Sequence, residues 1–190
     1  RALPNMTLMA PKDENELRRM LITAVSHPGP IALRYPRGMG LGVKIDPDPR
    51  PIAIGRAEIL AEGEDCLLLA IGSMVARAMA ARKILLAQDI TPGVVNLRFA
   101  KPLDKATLLP LIERTPRVIT LEENVLAGGL GSAVGECIHD AGISGIRLRR
   151  IGIQDQFIEH GACNLLLSRY GLDAQGIAQT VSQFMAEVSP

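Results

Sequence analysis

The sequence predicts an α/β protein built around a doubly wound sheet. Short apolar segments of strand length alternate with longer amphipathic segments along the 190 residues, an order that is typical of strands joined by crossover helices. Hydrophobic residues make up 47% of the chain but aromatic residues only 3%. Leu, Ile, Val and Ala therefore have to fill the core, as they do in layered helix-and-sheet proteins.

The first part of the chain is predicted to form a strand, a helix and a second strand. The apolar run 6–9 is the first strand. Asp13 and Glu16 have the spacing of a capping box, and the apolar residues that follow predict an amphipathic helix over 14–26. A Pro-Gly-Pro run ends this helix before the strand 31–35. Two parallel strands and one helix cannot cover both faces of a sheet, so this part is predicted to be the last βαβ unit of a larger sheet.

Residues 38–53 are predicted to be a linker, because glycines loosen the backbone of this segment and prolines stiffen it. The sequence therefore divides into the units 1–53 and 54–190. Few contacts are expected for the linker, so limited proteolysis is expected to cleave there first.

The second unit alternates strands with helices, and Ser73 and Asp104 are placed to cap two of these helices. The predicted strands are 57–60, 67–71, 94–97, 118–121 and 146–151. The predicted helices are 73–86, 105–113, 131–140, 162–170 and 173–187. Five strands are thus expected in the sheet of this unit.

Charge and cysteine content exclude several classes of function. Lys and Arg number 21 against 20 for Asp and Glu, a balance that gives no field to attract nucleic acid or an anionic membrane. The apolar runs are shorter than the about 20 residues of a membrane helix. Cys66, Cys137 and Cys163 are too widely spaced for a zinc site. Three reduced thiols in the cytoplasm are therefore expected.

Two arginines flank a Tyr-Pro step where a predicted strand ends. Arg34 and Arg37 thus follow the carboxyl end of a strand, where ligands bind in open α/β sheets. The guanidinium group has a planar fork of donors that suits phosphate. Pairing with surface carboxylates is the more frequent explanation of such a spacing, and the residues alone leave both interpretations open.

Two carboxylates and a Gly-rich turn follow another predicted strand. Glu122 and Glu123 precede Gly128-Gly-Leu-Gly131, and backbone N–H groups at such a helix start are able to hold an anion. The pattern is neither a Walker loop nor a full dinucleotide fingerprint. A tight strand-to-helix turn is the more frequent explanation, and the roles of the two carboxylates stay open.

The loop Asp155–Gly161 brings two carboxylates and the imidazole of His160 before a helix. A general base or a metal site is conceivable there. No second His or Cys lies at ligand spacing, which argues against metal. A structural or interface histidine is the more frequent case, so the role of His160 stays open.

Several motifs together resemble the 1-deoxy-D-xylulose-5-phosphate synthase family of thiamine-diphosphate enzymes. They are Met9-Ala-Pro-Lys-Asp-Glu-Asn-Glu-Leu17, Gly29-Pro-Ile-Ala-Leu-Arg-Tyr-Pro-Arg-Gly38, Leu97-Arg-Phe-Ala-Lys-Pro-Leu-Asp104, Glu122-Glu-Asn124 with Gly128-Gly-Leu-Gly-Ser132, Ile151-Gly-Ile-Gln-Asp-Gln-Phe-Ile-Glu-His-Gly161, and Gly171-Leu-Asp173. The resemblance covers nearly the whole chain. The joint set is more specific than Arg-Tyr-Pro-Arg-Gly, which related thiamine enzymes share in looser form.

The resemblance implies the tail of a pyrimidine-binding domain followed by a transketolase-type C-terminal domain. That domain has a mostly parallel five-stranded sheet whose first strand is antiparallel to the rest. Thiamine diphosphate and Mg²⁺ are implied as cofactors of the complete subunit. None is expected to bind this chain alone, because the Gly-Asp-Gly motif and the activating glutamate of the family do not occur in it.

The resemblance also implies a reaction and a site residue. Members of the family join pyruvate to D-glyceraldehyde 3-phosphate with loss of CO₂. Arg37 matches the family arginine that binds the phosphate of the aldehyde, whereas Arg34 is expected to brace the strand end. No catalytic residue is implied within this chain, and no role follows for Glu122, Glu123 or His160. The implied partners are the missing N-terminal portion and a second copy in a homodimer.

Two alternatives are kept. The first is a sister enzyme, such as a transketolase or the β subunit of a 2-oxo acid dehydrogenase, which shares the two-domain ending. The second is a non-catalytic dimerisation or regulatory module.

Overall fold

A computed structural model describes residues 1–187, which form eight strands and six helices. The strands are β1 (Thr7–Met9), β2 (Ile31–Leu33), β3 (Glu58–Ala61), β4 (Cys66–Ala70), β5 (Pro92–Asn96), β6 (Phe99–Lys101), β7 (Arg117–Val125) and β8 (Arg147–Ile153). The helices are α1 (Glu14–Ser26), α2 (Met74–Leu86), α3 (Lys105–Arg114), α4 (Leu130–Asp140), α5 (Cys163–Arg169) and α6 (Ala174–Ala186). The last three residues of the predicted unit 54–190 lie outside the described part.

Five strands form the larger sheet, in the order β3-β5-β4-β7-β8. Strands β5, β4, β7 and β8 are parallel, whereas β3 runs antiparallel to β5. Alternate residues of β4 point into two apolar layers, one shared with α2 and α6 and the other with α3 and α4. The predicted doubly wound, mostly parallel five-stranded sheet with an antiparallel first strand is confirmed.

A smaller sheet has the order β2-β1-β6. Strands β1 and β2 are parallel and joined by α1, which confirms the predicted βαβ unit. Strand β6 pairs antiparallel with β1. The sheet is thus larger than the βαβ unit, as predicted, but the prediction did not include β6, which comes from beyond the linker.

Sequence analysis missed β6 because the segment looks like the end of β5. Arg98, between the two strands, has a left-handed φ of 57°, which a non-glycine residue seldom adopts. The Asn96 side chain accepts a hydrogen bond from the Arg98 backbone N–H at 3.1 Å. The chain therefore leaves β5, turns at Arg98 and pairs with β1.

The linker is not the contact-poor segment that its composition suggested. Its part 42–52, called here the strap, is hydrogen-bonded to α1. Asn15 donates to the Lys44 carbonyl, Arg18 to that of Asp46, Arg19 to that of Arg50, and Thr23 both donates to and accepts from Ile52. The expectation of few contacts was wrong for the strap. Its backbone groups have no strand partner, so side chains on one face of α1 satisfy them.

Helix starts follow the predicted caps in two cases of three. The side chains of Asp13 and Asp104 accept hydrogen bonds from the backbone N–H groups of Glu16 and Thr107, which confirms both caps. Ser73 is the N-cap residue of α2 but its side chain accepts no such bond. Sequence spacing alone was thus sufficient to predict the capping hydrogen bond in the two helices whose N-cap residue is an aspartate.

No helix within residues 1–187 is long and apolar enough to cross a membrane. Cys66 and Cys137 are buried, Cys163 is exposed, and all three are free thiols. Burial raises the pKa of the Cys66 thiol to about 12. The thiol of Cys66 is therefore protonated and inert at neutral pH.

Candidate functional site

Arg34 and Arg37 lie at the carboxyl end of β2 on a loop of residues 34–41, called here the arginine loop. The Arg34 backbone N–H donates to the Met9 carbonyl at 2.9 Å, which continues the pairing of β2 with β1. Arg37 is exposed, and its guanidinium takes part in no salt bridge within residues 1–187. The two arginines thus differ, because only Arg34 has an anionic partner.

That partner is Glu123 in the last part of β7. Its carboxylate lies 3.9 Å from the Arg34 guanidinium and 3.6 Å from that of Arg77, and its side chain is only 14% exposed. Arg34 also donates to the Glu123 carbonyl at 3.5 Å, and Arg77 donates to the Ser73 carbonyl at 3.0 Å. Glu123 therefore ties the start of the arginine loop to the larger sheet and to the first turn of α2.

The far end of the arginine loop is tied to α1. A Glu14 carboxylate oxygen accepts a hydrogen bond from the Gly42 backbone N–H at 2.7 Å. A Cβ placed on Gly40 would lie only 2.0 Å from the same oxygen, so the loop backbone packs directly against the carboxylate. The other Glu14 oxygen is buried without a hydrogen-bond partner among residues 1–187.

The Gly-rich turn before α4 already contains its anion. Glu122 is fully buried, and its two carboxylate oxygens accept hydrogen bonds from the backbone N–H groups of Leu130 and Gly131, both at 2.8 Å. A Cβ on Gly129 would lie 2.2 Å from this carboxylate. The helix start that we considered for an external anion is thus occupied by a side chain of the protein, and these amides are not free for a diphosphate.

A buried ion-pair network joins the two parts of the chain. Glu16 is 3% exposed, and its carboxylate accepts from Arg98 at 2.6 Å and from Asn96 at 3.0 Å. Arg98 also contacts Glu58 at 3.0 Å, and Lys12 contacts Glu58 at 2.5 Å. Burial raises the pKa of Glu58, but the hydrogen bond from Lys12 and the charge of Arg98 outweigh it, so the pKa lies below its ordinary value.

Sequence reasoning missed this network. A signal was present in the sequence, because Asn96 and Arg98 interrupt an otherwise apolar strand and strands seldom bury such residues without partners. Their main partner could not be inferred, since Glu16 is 80 residues before Asn96 in the sequence and its position beside Asn96 and Arg98 depends on β6 pairing with β1.

His160 lies apart from these charges in an exposed loop. Beside it, Glu159 pairs with Arg169 and accepts a hydrogen bond from the Tyr170 hydroxyl at 2.7 Å. Phe157 in the same loop is fully exposed. In the part of the chain that the structure covers, no three His, Cys, Asp or Glu side chains are grouped so as to hold a metal ion. The loop therefore offers no built metal site.

A profile of the family described as "Transketolase, C-terminal domain" matches residues 55–177. The chain belongs to this transketolase C-terminal domain family. The match includes the larger sheet and both Glu122 and Glu123, and it begins after Arg34 and Arg37. The two arginines therefore lie outside the residues that this family profile matches.

Individual relatives match nearly the whole of this chain, including the part before the transketolase C-terminal domain. It is 53% identical over 186 residues to 1-deoxy-D-xylulose-5-phosphate synthase 1 of Geobacter sulfurreducens, with 98% of this chain and 29% of that protein covered. It is 52% identical over 180 residues to 1-deoxy-D-xylulose-5-phosphate synthase of Desulforudis audaxviator, with 95% and 28% covered. The chain thus spans less than a third of the length of these relatives.

A solved structure supports the same fold. The chain superimposes on a structure described as "Split gene transketolase, inactive beta4 tetramer" with a TM-score of 0.81 and 32% identity. The superposition covers 97% of this chain and 59% of the other. The predicted resemblance to the synthase family and the transketolase-type fold are both confirmed, whereas the phosphate-binding role of Arg37 stays a prediction.

Proposed function

We propose that this chain is the C-terminal part of a 1-deoxy-D-xylulose-5-phosphate synthase. The complete protein would condense pyruvate with D-glyceraldehyde 3-phosphate to 1-deoxy-D-xylulose 5-phosphate and CO₂. The observation that carries this proposal is 53% identity to a synthase over 98% of the chain. A fold match alone would not distinguish the synthase from its sister enzymes.

Within that reaction, Arg37 binds the phosphate of the aldehyde. It is exposed and free of salt bridges within residues 1–187, so its guanidinium has its donors available for an anion. It follows a strand's carboxyl end, where open α/β sheets bind ligands. Holding the phosphate orients the aldehyde carbonyl toward the reacting carbon. Arg34, paired with Glu123, braces the strand end.

Thiamine diphosphate with Mg²⁺ supplies the carbanion chemistry when bound to the complete protein. The residues described here do not fit this group, because the helix-start amides at α4 are bonded to Glu122 and no metal-binding cluster occurs among residues 1–187. We therefore propose that the cofactor site lies in the missing N-terminal portion. The family resemblance further implies that the complete protein is a homodimer in the cytoplasm.

Replacement of Arg37 tests the proposal in the complete protein. Losing one partner of a charge-assisted contact costs about 2–5 kcal/mol, so Arg37→Ala is expected to lower kcat/KM for D-glyceraldehyde 3-phosphate by about 30-fold to several thousand-fold. The KM for pyruvate is expected to change far less, because pyruvate has no phosphate. Steady-state kinetics with each substrate varied in turn measures both effects.

Two controls make the test specific. Arg37→Lys should recover only part of the loss, since an ammonium cannot make the forked contact. Unphosphorylated glyceraldehyde should be used about equally poorly by the variant and the parent. An equal loss for both aldehydes would show that Arg37 is structural.

A second candidate is a self-associating module that is inactive alone. It is favoured by the split-gene transketolase structure, whose description names an inactive tetramer of the related chain. Mixing this chain with the N-terminal portion and measuring CO₂ release from pyruvate with the aldehyde present separates the two. CO₂ release by the mixture supports the synthase. A stable complex of the two portions that releases no CO₂ supports the self-associating module.

A further inference from the structure

The arginine loop is held at both ends by carboxylates from different parts of the chain. At its start, Glu123 of β7 contacts the Arg34 guanidinium. Just past its end, Glu14 of α1 accepts from the Gly42 N–H at 2.7 Å. All residues between these two contacts, including Arg37, are exposed. The loop therefore has two fixed ends and one free arginine between them.

Glu14 is fitted closely to the loop backbone. Its contact with Gly42 is direct, and the 2.0 Å approach of a Cβ placed on Gly40 shows that a side chain at this position would displace the Glu14 carboxylate. The second oxygen of Glu14 is buried without a hydrogen bond in the described chain. A buried unsatisfied acceptor is costly, and the Gly42 N–H bonds the other oxygen, so the described residues leave this one without a partner.

Glu123 fixes the loop relative to the larger sheet. Its carboxylate lies between Arg34 and Arg77, and its side chain is mostly buried, so two cations share one poorly hydrated anion. Arg77 is itself held by the Ser73 carbonyl. The position of the start of the arginine loop is thus fixed relative to β7 and α2, whereas the position of its end is fixed relative to α1.

We propose that Glu14 and Glu123 are positioning residues that hold the arginine loop so that Arg37 meets the phosphate of the substrate in a preset geometry. The inference rests on the proposed function. Neither carboxylate touches the phosphate, because each is engaged by the loop or by other arginines. A loop fixed before binding does not have to be ordered by the ligand, which saves part of the entropy cost of association.

The test compares variants of the complete protein. Glu14→Gln and Glu123→Gln keep the size of each side chain and remove its charge. Each is expected to raise the KM for D-glyceraldehyde 3-phosphate by about 3- to 20-fold. The KM for pyruvate and kcat/KM for unphosphorylated glyceraldehyde should stay at the values of the parent.

The matched control is Glu62→Gln. Glu62 also pairs with an arginine, Arg114 at 3.0 Å, but the pair is exposed and lies beside the start of β4, at the opposite edge of the sheet. Its KM values should equal those of the parent. A second variant, Gly40→Ala, displaces Glu14 from the loop without changing α1 and should raise the same KM, which keeps the test valid if Glu14→Gln folds poorly.

Double variants separate positioning from a general loss of structure. If the carboxylates act through Arg37, then Glu14→Gln or Glu123→Gln added to Arg37→Ala should cause no further loss with the phosphorylated aldehyde. If the losses of the double variants multiply, or if the single variants have the KM of the parent, the positioning proposal is overturned. The proposed function is still supported in that case, provided that the defect of Arg37→Ala is selective for the phosphorylated aldehyde. An unselective Arg37→Ala defect overturns the proposed function itself.

Discussion

At the scale of single residues, a buried carboxylate organises the turn between β7 and α4. Glu122 is fully buried and yet its charge is satisfied, since the first N–H groups of α4 converge on it. The N-terminus of a helix carries partial positive charge and unsatisfied donors. Glu122 therefore acts as a cap from eight residues upstream, in place of a side chain at the N-cap position, which is Gly129.

Replacing Glu122 should destabilise the fold. Glu122→Gln removes the charge and turns an amide NH₂ toward a backbone N–H, so the free energy of unfolding is expected to fall by about 2–4 kcal/mol. Urea unfolding followed by circular dichroism measures the change.

The control for this variant lies on α4 itself. Glu136→Gln removes an exposed partner of Arg1 and should leave the urea midpoint nearly unchanged. Equal midpoints for Glu122→Gln and the parent protein would mean that the buried carboxylate is dispensable for the turn.

Single residues show what the sequence could predict. Asp13 and Asp104 were predicted as caps because a cap and its helix are adjacent in sequence. Glu122 was not assigned, because its role depends on how the turn folds back over it. Arg37 was singled out by its place after a strand, and the phosphate-binding role expected for it came from the family resemblance rather than from spacing.

At the scale of elements, the strap and the arginine loop differ although glycine or proline recurs in both. The strap is bonded along one face of α1, whereas the arginine loop is exposed between its two ends. Composition predicts both to be irregular, and that part was right. It could not predict that polar side chains at helical spacing on α1 would bond the strap, since this requires knowing that the two segments run side by side.

Trypsin should reveal this difference. The bond after Arg37 is exposed, whereas the bond after Lys44 has its carbonyl bonded to Asn15. Cleavage after Arg37 is expected to precede cleavage after Lys44, because a protease requires a locally free backbone. Mass spectrometry of early fragments gives the order.

Removing the donor provides the comparison. Asn15→Ala should speed cleavage after Lys44, whereas Ser26→Ala, which loses only a bond to Ile22 within α1, should not. If the parent is cut first after Lys44, the strap is not held in solution as it is in the structure.

Whether a strand could be predicted depended on whether its own residues or a distant partner define it. All five strands of the larger sheet were recognised, because their apolar runs are bounded by turns or helices. Strand β6 was not, because it has three residues and follows β5 after a single turn at Arg98. A strand this short is defined by its partner β1 and not by its own residues.

At the scale of the whole molecule, the buried network joins what the sequence divided at residue 53. Lys12 and Glu16 come from the first part, and Glu58, Asn96 and Arg98 from the second. A buried charge left without its partner is strongly unfavourable. The two parts are therefore expected to unfold together rather than separately.

Acid should weaken this junction in a defined direction. The pKa of Glu58 is lower in the folded protein than its ordinary value, so its contribution to stability is complete above the ordinary pKa of a glutamate, about 4.3. That contribution is lost as the pH falls through the lower folded value. The urea midpoint should therefore begin to fall once the pH drops below about 4.3.

Glu58→Gln should lower the midpoint at neutral pH and make its fall in acid shallower. Glu62→Gln, whose exposed pair is screened by solvent, should keep the slope of the parent. An unchanged slope for Glu58→Gln would place the acid-sensitive group elsewhere. Urea titrations at a series of pH values supply all three comparisons.

The isolated chain is expected to bind thiamine diphosphate negligibly, even with Mg²⁺. The Gly-rich turn before α4 is filled by Glu122, and charge-assisted contacts to metal and diphosphate supply most of the affinity for such a ligand. Isothermal titration calorimetry of this chain and of the complete protein, side by side, measures the difference. Micromolar binding to the isolated chain would contradict the assignment of the cofactor site.

The pairing of β6 with β1 also sets an order of events during synthesis. Leu8 faces Lys101 across the smaller sheet, so the first strand leaves the ribosome long before its antiparallel neighbour has been made. At about 5–20 residues per second this interval is several seconds, and α1 meanwhile has to hold Glu16 without the arginine that will neutralise it. Protection of the first strand by β6 is therefore expected only after residues beyond Lys101 have emerged.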